Sequence, residues 1–327
     1  MGKHGPKRGT RALRPRGRAK SIVPGVRAWP SLDKGVAGFA GYKVGMAHAL
    51  VTADRGPWKG QEVSTPVTIV ETPPIFIYGI RGYEQTPYGL KTVAEVQVPP
   101  SKDAFFERIA TPAKKAGDVA KLESMVNGLK ELHVLALTRP SKAGVGNKTP
   151  QAFELALGGD AKAQLEFAKS ILGKDIRVSD VLAPGESIDV IAVTKGKGWQ
   201  GVVKRFGVAL QPRKATQRRR HGGSIGPETQ ATVMYTVPRA GQMGFHKRTE
   251  GNKRILAIGT KPSELSVKGG WPHYGEMRND FLVVEGSLAG PANRFLRLRK
   301  AVDKPPVRKP ELKMIILSRT QQVKLAG

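Results

Sequence analysis

Between Val190 and Pro227 the chain carries no acidic residue, yet it holds Lys195, Lys197, Lys204, Arg205, Arg213, Lys214, Arg218, Arg219 and Arg220. Like charges at this density repel one another, and no carboxylate nearby in sequence neutralises them. Such a stretch is not expected to collapse alone as a compact module. It calls for a polyanion, and structured RNA is the one that most often orders an arm of this kind.

The rest of the chain has the same bias. Among 327 residues, 55 Lys and Arg stand against 26 Asp and Glu, a formal net charge of +29. Self-repulsion of that size argues against an ordinary small-molecule enzyme and for a partner whose phosphates offset the charge. A membrane surface is the other outlet, but there is neither an apolar run of ~20 residues nor an amphipathic helix with a continuous apolar face. Hydrophobic residues make up 39%, enough for a real core but not for every segment to join it. The 39 Gly and 24 Pro favour strands, turns and extended arms over a helical bundle. Without cysteine there is no disulfide framework, thiolate metal site or thiol nucleophile. The opening Met1-Gly2-Lys3-His4-Gly5-Pro6 does not read as a secretory signal. An intracellular location fits both features.

Residues 1–35 read as a basic extension, with Trp29 and Pro30 marking where it docks on a folded body. Strand-like runs follow over residues 36–100: Val67–Val70, Ile75–Tyr78 after Pro73-Pro74, and Lys91–Val98 after a hairpin turn at Thr86-Pro87-Tyr88-Gly89. Residues 101–180 change to an α+β pattern. Asp118 caps a helix with Val119, Leu122, Val126 and Leu129 on one face, and Leu132–Leu137 reads as a strand. Gly159-Asp160 opens a second helix with Ala161, Leu165, Ala168 and Leu172 inward, closed by Gly173. These apolar stripes are expected to pack on a sheet. Residues 181–327 return to strands at Ser187–Thr194, Arg254–Ile258, Asp280–Glu285 and Lys313–Leu317. Short strands on both sides of an insertion suggest a small closed barrel, since closure removes exposed edges.

Gly196-Lys197-Gly198-Trp199-Gln200-Gly201 fits the spacing of a dinucleotide-binding turn. That turn needs its third glycine to lead into a helix and an acid about 20 residues later for the ribose. Val202-Val203 and then Pro212 predict no such helix, and the acid is missing. A glycine-flexed turn that lets backbone and Trp199 approach RNA fits better, with packing at the barrel rim the other role open to Trp199. The six histidines form no i,i+4 pair or HExxH, and no serine lies in G-x-S-x-G. The expectation is a non-enzyme with no cofactor, no metal and no small-molecule substrate.

The segment from Ala192 to Arg205, with Thr194-Lys195-Gly196-Lys197-Gly198-Trp199-Gln200-Gly201 at its centre, resembles the signature of the universal large-subunit ribosomal protein L-three family. Gly222-Gly223-Ser224-Ile225-Gly226, Ala240-Gly241-Gln242-Met243-Gly244, His273-Tyr274-Gly275-Glu276 and Asn279-Asp280-Phe281 follow in the family's order. Arg14-Pro15-Arg16-Gly17-Arg18-Ala19 and Phe39–Met46 resemble its archaeal and eukaryotic branch. The resemblance implies a six-stranded, translation-factor-like barrel with an α+β insertion and two long extensions sunk in large-subunit ribosomal RNA. One is the N-terminal arm. The other is a central finger, residues 211–243, near the peptidyl transferase centre and the path of incoming aminoacyl-tRNA. Relatives often carry tryptophan at the finger tip, where this chain has Glu228.

The expected RNA contacts are Arg8, Arg11, Arg14, Arg16 and Arg18 in the arm, and Lys195, Lys197, Trp199, Lys204 and Arg205 around the glycine turn. In and after the finger they are Arg213, Lys214, Arg218, Arg219, Arg220, His221, Arg239, Gln242, His246, Lys247 and Arg248. The expected partners are ribosomal RNA and neighbouring ribosomal proteins in the cytoplasm, with no membrane. A freestanding RNA-binding or RNA-modifying factor and a DNA-compacting protein are the alternatives.

Overall fold

The computed structural model describes residues 15–98, 117–214, 218–303, 305–308, 310–317 and 321–323. The chain divides into two units, residues 22–192 with 249–327, and residues 1–21 with 193–248. In chain order the strands are β1 (Gly38–Thr52), β2 (Glu62–Glu71), β3 (Ile75–Thr86), β4 (Gly89–Gln97), β5 (Glu131–Thr138), β6 (Ala152–Ala156), β7 (Asp175–Ile176), β8 (Ser187–Val193), β9 (Trp199–Gln200), β10 (Gly241–Gln242), β11 (Lys247–Gly259), β12 (Phe281–Glu285), β13 (Phe295–Lys300), β14 (Glu311–Ile316) and β15 (Gln322–Val323). The α-helices among the described residues are α1 (Val119–Met125), α2 (Ala161–Ile171) and α3 (Val202–Phe206). Mainly β structure with a few short helices is what the composition implies.

Six strands of the first unit hydrogen-bond in a ring, β1–β2–β12–β11–β8–β13 and back to β1. The length of β1 makes this possible. One edge pairs with β2 over Tyr42–Thr52; the other gives Gly38–Tyr42 to β13 and His48–Thr52 to β14. A ring satisfies backbone groups that an open edge would leave to solvent. Phe39, Tyr42, Ile69, Phe281 and Phe295 are fully buried, and Tyr42 meets Phe295 edge-on at 6.0 Å. Gly45 of β1 lies under the Trp271 ring, where an added Cβ would come within 2.7 Å of the indole. Only glycine admits that contact.

A second sheet has the order β4–β3–β5–β6, with β7 added on β3. The sequence grouped β3 and β4 with the first barrel strands, but they pair here with the strands of the insertion. Pro73 and Pro74 lie between β2 and β3, and with no N–H to donate they cannot carry the ring's ladder forward. The expected hairpin turn is present: Thr86 pairs with Gly89 across Pro87-Tyr88. Asp118 caps α1 by accepting from the Ala120 N–H at 3.0 Å. Leu122, Leu165 and Ala168 are buried, and the core that receives them also includes the ring. Gln164 is buried on α2 but satisfied: it accepts from Leu132 N–H at 2.7 Å and donates to the carbonyls of Leu157 and Gly159.

Two charged positions tie distant segments together. The fully buried Glu71 carboxylate, at the end of β2, accepts from the backbone N–H groups of Gly144, Arg278 and Asn279, from the Asn279 amide and from the Tyr274 hydroxyl. Burial and the neighbouring Glu71 charge hold the Tyr274 phenol well above its usual range. The motif around His273-Tyr274-Gly275-Glu276 is thus part of the fold's internal framework. Arg297 of β13 is buried too, donating to the carbonyls of Pro24 and Glu154 and lying over the rings of Trp29 and Phe153. Trp29 packs against the core, as its place after the basic arm suggested.

Glu154 of β6 is the most perturbed carboxylate with a clear cause. His133 lies 3.7 Å away. Tyr83 donates to Glu154 at 2.8 Å and Arg81 pairs with it, so the acid is held down to about 2. A carboxyl depressed in the folded state stabilises the fold above its unfolded pKa of ~4.3 and loses that contribution as the pH falls further. The stability difference between the parent chain and Glu154→Gln, read from urea midpoints, should therefore be present above pH ~4.3. It should shrink between pH ~4.3 and ~2.

Candidate nucleic-acid interface

The second unit concentrates the charge. Residues 1–21 and 193–248 carry twenty Lys and Arg and a single acid, Glu228. Among its described residues, Val193 and Val208 are the only buried apolar side chains. Polar and backbone contacts do the holding instead.

Two stretches run side by side at its centre. β9 pairs antiparallel with β10, Gly241 opposite Gln200 and Gln242 opposite Trp199. Outside that short ladder Thr194 N–H donates to His246 O at 3.0 Å, Lys197 N–H to Met243 O at 3.0 Å, and Met243 N–H to Gly198 O at 2.9 Å. Gly244 adopts φ 70°, and a Cβ there would lie 2.1 Å from the Lys195 carbonyl oxygen. The glycines of the sequence motif therefore serve a tight pairing of these two stretches.

The expectation that no helix follows Gly201 is overturned. Gly201 is the N-cap of α3, which ends at Gly207 in the left-handed conformation with φ 64°. Left-handed Gly207 stops the helix after five residues. Val202 and Val203 do not prevent it, because β-branched side chains lower helix propensity only slightly. A dinucleotide site still lacks its acid, and so short a helix offers little dipole.

Several of the expected contact residues are used within the unit. Arg205 turns onto backbone carbonyls, with Nε donating to Gln242 O at 3.1 Å and Nη1 to Arg239 O at 2.9 Å. Gly241 has no side chain where the guanidinium passes. The Gln242 amide donates to Gly244 O at 2.9 Å. His246 Nε2 accepts from Gly244 N–H at 3.1 Å, which assigns the proton to Nδ1, 2.9 Å from Gly17 O. Arg16 lies 4.5 Å over the Phe206 ring, Arg18 lies 5.4 Å over Phe245, and Ala19 N–H donates to Phe245 O at 2.8 Å. The N-terminal segment and the stretches flanking the finger, read from the sequence as separate protrusions, thus meet in one unit. No local signal announces this, because each contact joins residues about 190 or more positions apart or rests on a lone phenylalanine.

The remaining positions face outward. Lys195, Lys197, Lys204, Arg213, Lys214, Arg218, Arg219, Arg220, His221, Arg239 and Lys247 are exposed, Arg248 is half-buried, and Trp199 is 76% exposed. Within 211–243, few backbone bonds hold the described residues; one is Gln211 N–H to Arg219 O at 3.1 Å, with Arg219 Nε returning to Gln211 O at 3.2 Å. Glu228 is exposed. Arg8, Arg11 and Arg14 lie outside the described residues, as do residues 215–217 of the expected finger. Among the described residues no cluster of His, Asp and Glu has metal-binding geometry, and no helix is long and apolar enough to cross a membrane.

Arg205→Ala should loosen the pairing of 194–200 with 241–246. Hydrogen exchange at the Lys197 and Met243 amides should accelerate by at least about tenfold, the loss of roughly 1.4 kcal/mol of local stability. The thermal midpoint of the ring should stay unchanged.

The family model described as Ribosomal protein L3 matches residues 2–318. The chain is 45% identical to the large ribosomal subunit protein uL3 of Methanopyrus kandleri over 330 residues, covering 97% of this chain and 91% of that one. It is 44% identical to the protein of that name from Archaeoglobus fulgidus, with 98% of each chain covered. The corresponding protein of Methanothermobacter thermautotrophicus is 43% identical over 91% of this chain and 92% of its own.

Proposed function

We infer, from the premise that the chain belongs to the ribosomal protein L3 family, that it is a structural constituent of the large ribosomal subunit, of archaeal type, and binds its RNA. It is not an enzyme, and its place is the cytoplasmic ribosome among RNA and other ribosomal proteins. The observation that carries this is similarity over nearly the whole chain to large-subunit proteins. The charge distribution supplies an independent physical reason: a unit whose two segments together carry twenty cations and one acid, with few buried apolar side chains among its described residues, needs a counter-surface of phosphate.

The finer assignments rest on that reading. The six-strand ring closes as a small barrel of the translation-factor kind. Residues 1–35 form an extension, and 211–243 form a finger directed toward the peptidyl transferase centre and the aminoacyl-tRNA path. Exposed Arg213, Lys214, Arg218, Arg219 and Arg220 bind phosphates, where a guanidinium offers forked contacts that lysine does not. Lys195, Lys197, Lys204, Arg239, Lys247 and Arg248 add point contacts. Trp199, 76% exposed, stacks on a base. Arg205, Gln242 and His246 act mainly by shaping the backbone that carries these groups.

Sedimentation of an extract tests the main reading: the chain should travel with large subunits through a moderate-salt wash. Recovery only in free fractions would favour a freestanding factor, and preference for duplex DNA over structured RNA would favour a compacting protein. Changing Arg218, Arg219 and Arg220 together to Ala should leave ring stability unchanged. It should make the log–log salt dependence of RNA binding shallower by about 2, at ~0.7 per single-strand phosphate contact.

A further inference from the structure

A second cationic feature lies in the ring-bearing unit and contains none of the residues so far assigned to RNA. The turn between β1 and β2 is tightly self-bonded: Ala53 N–H donates to Gln61 O at 2.9 Å, Gly60 N–H to Ala53 O at 2.8 Å and Gln61 N–H to Trp58 O at 3.0 Å. Gly56 and Gly60 supply its left-handed corners, with φ of 78° and 83°. This turn holds Trp58 61% exposed, with its indole at the wall of a cavity. Beside it are two adjoining cavities of about 450 and 210 Å³ that share Arg55, Arg254 and Glu285. The larger is of the size usual for ligand clefts.

The walls carry both signs in a definite arrangement. Arg254 forms an inner wall, 15% exposed, with Nη1 2.7 Å from Asp54 Oδ2 and Nε 3.6 Å from Glu285 Oε2. Toward solvent, Arg308 is 46% exposed and lies only 3.9 Å from Asp54. Arg55 is exposed and has no ion pair among the described residues. Lys253 completes the rim, loosely paired with Glu250 at 3.6 Å.

We infer that this cleft binds one nucleotide of a single-stranded RNA segment, its base stacked on Trp58 and its phosphate held by Arg55 and Arg308. The inference rests on the ribosomal reading and names a second RNA site, outside the arm and finger. Three features select this occupant. An exposed aromatic face is sequence-tolerant for bases and adds 1–3 kcal/mol per stacked base as an order of magnitude. Rim cations with spare N–H groups suit a phosphate. Asp54 and Glu285 retain acceptor capacity beyond Arg254, and a nucleotide offers donors to them through its exocyclic amine and 2′-hydroxyl. An acidic peptide brings carboxylates without those side-chain donors and leaves the indole uncovered.

The test uses the full-length chain with Trp199→Phe, which silences the other strongly exposed indole, titrated with oligouridylate while tryptophan emission is read. Emission should fall on binding, and adding Trp58→Phe should abolish the fall. Arg55→Ala with Arg308→Ala should move the midpoint to roughly tenfold higher oligonucleotide, the loss of two phosphate contacts. Changing Arg218, Arg219 and Arg220 to Ala should leave the Trp58 signal in place. Circular dichroism melting should confirm that each variant keeps its fold. No Trp58 quenching, or quenching indifferent to Arg55 and Arg308, overturns the proposal. Stronger quenching by polyglutamate than by oligouridylate also overturns it and identifies an acidic protein partner. If Trp58 stays silent while the chain retains large-subunit RNA on a filter, only the cleft fails. If the chain retains no RNA at all, the ribosomal reading fails with it.

Discussion

Repulsion among cations on one stretch of chain does not vanish when the rest of the protein folds. Here the stretches that carry twenty Lys and Arg against Glu228 are separate in composition from the body that carries nearly all the buried apolar side chains. The body satisfies its backbone by closing a ring of six strands and backs it with a second sheet. The cationic unit has no such resource. It relies on short ladders, on Arg205 donating to carbonyls and on Arg16 and Arg18 over phenylalanine rings. Each such contact contributes about 1 kcal/mol, enough to bias a conformation.

This division explains why some of the motifs of the sequence turn out to be architectural. The glycine turn at 196–201 reads like a nucleotide loop, yet its backbone pairs with 241–246 and Gly201 merely starts a one-turn helix. His246 and Gln242 are expected RNA contacts, yet they bond neighbouring backbone groups. The stretch around Tyr274 and Asn279 encloses the buried Glu71 carboxylate. Gln242, His246 and Arg205 are spent on shape, while Lys195, Lys197, Lys204, Arg213, Lys214 and Arg239 stay exposed.

What the sequence made legible was local. Asp118 as a cap, Pro87-Tyr88 as a two-residue turn and the stripes of α1 and α2 each depend on a few adjacent residues, and all are present. Non-local decisions were hidden. β13 reads as Phe-Leu-Arg-Leu-Arg-Lys, and nothing nearby shows that Arg297 will be buried against Trp29 and Phe153. The transfer of β3 and β4 to the second sheet depends on β5, some 45 residues further on, with only Pro73-Pro74 as a hint. The meeting of Arg16 and Arg18 with Phe206 and Phe245 has no sequence signature at all.

The proposed reading turns on the cationic stretch from Arg213 to Arg239, which holds a single acid, Glu228, being ordered by ribosomal RNA. Limited trypsin digestion of the purified full-length chain, with and without large-subunit RNA, measures this most directly, since the stretch is rich in arginine. The account predicts rapid cleavage at Arg213 to Arg220 in the free chain, while the ring fragments persist, and protection once RNA is added. Resistance of those bonds in the nucleotide-free chain would contradict it.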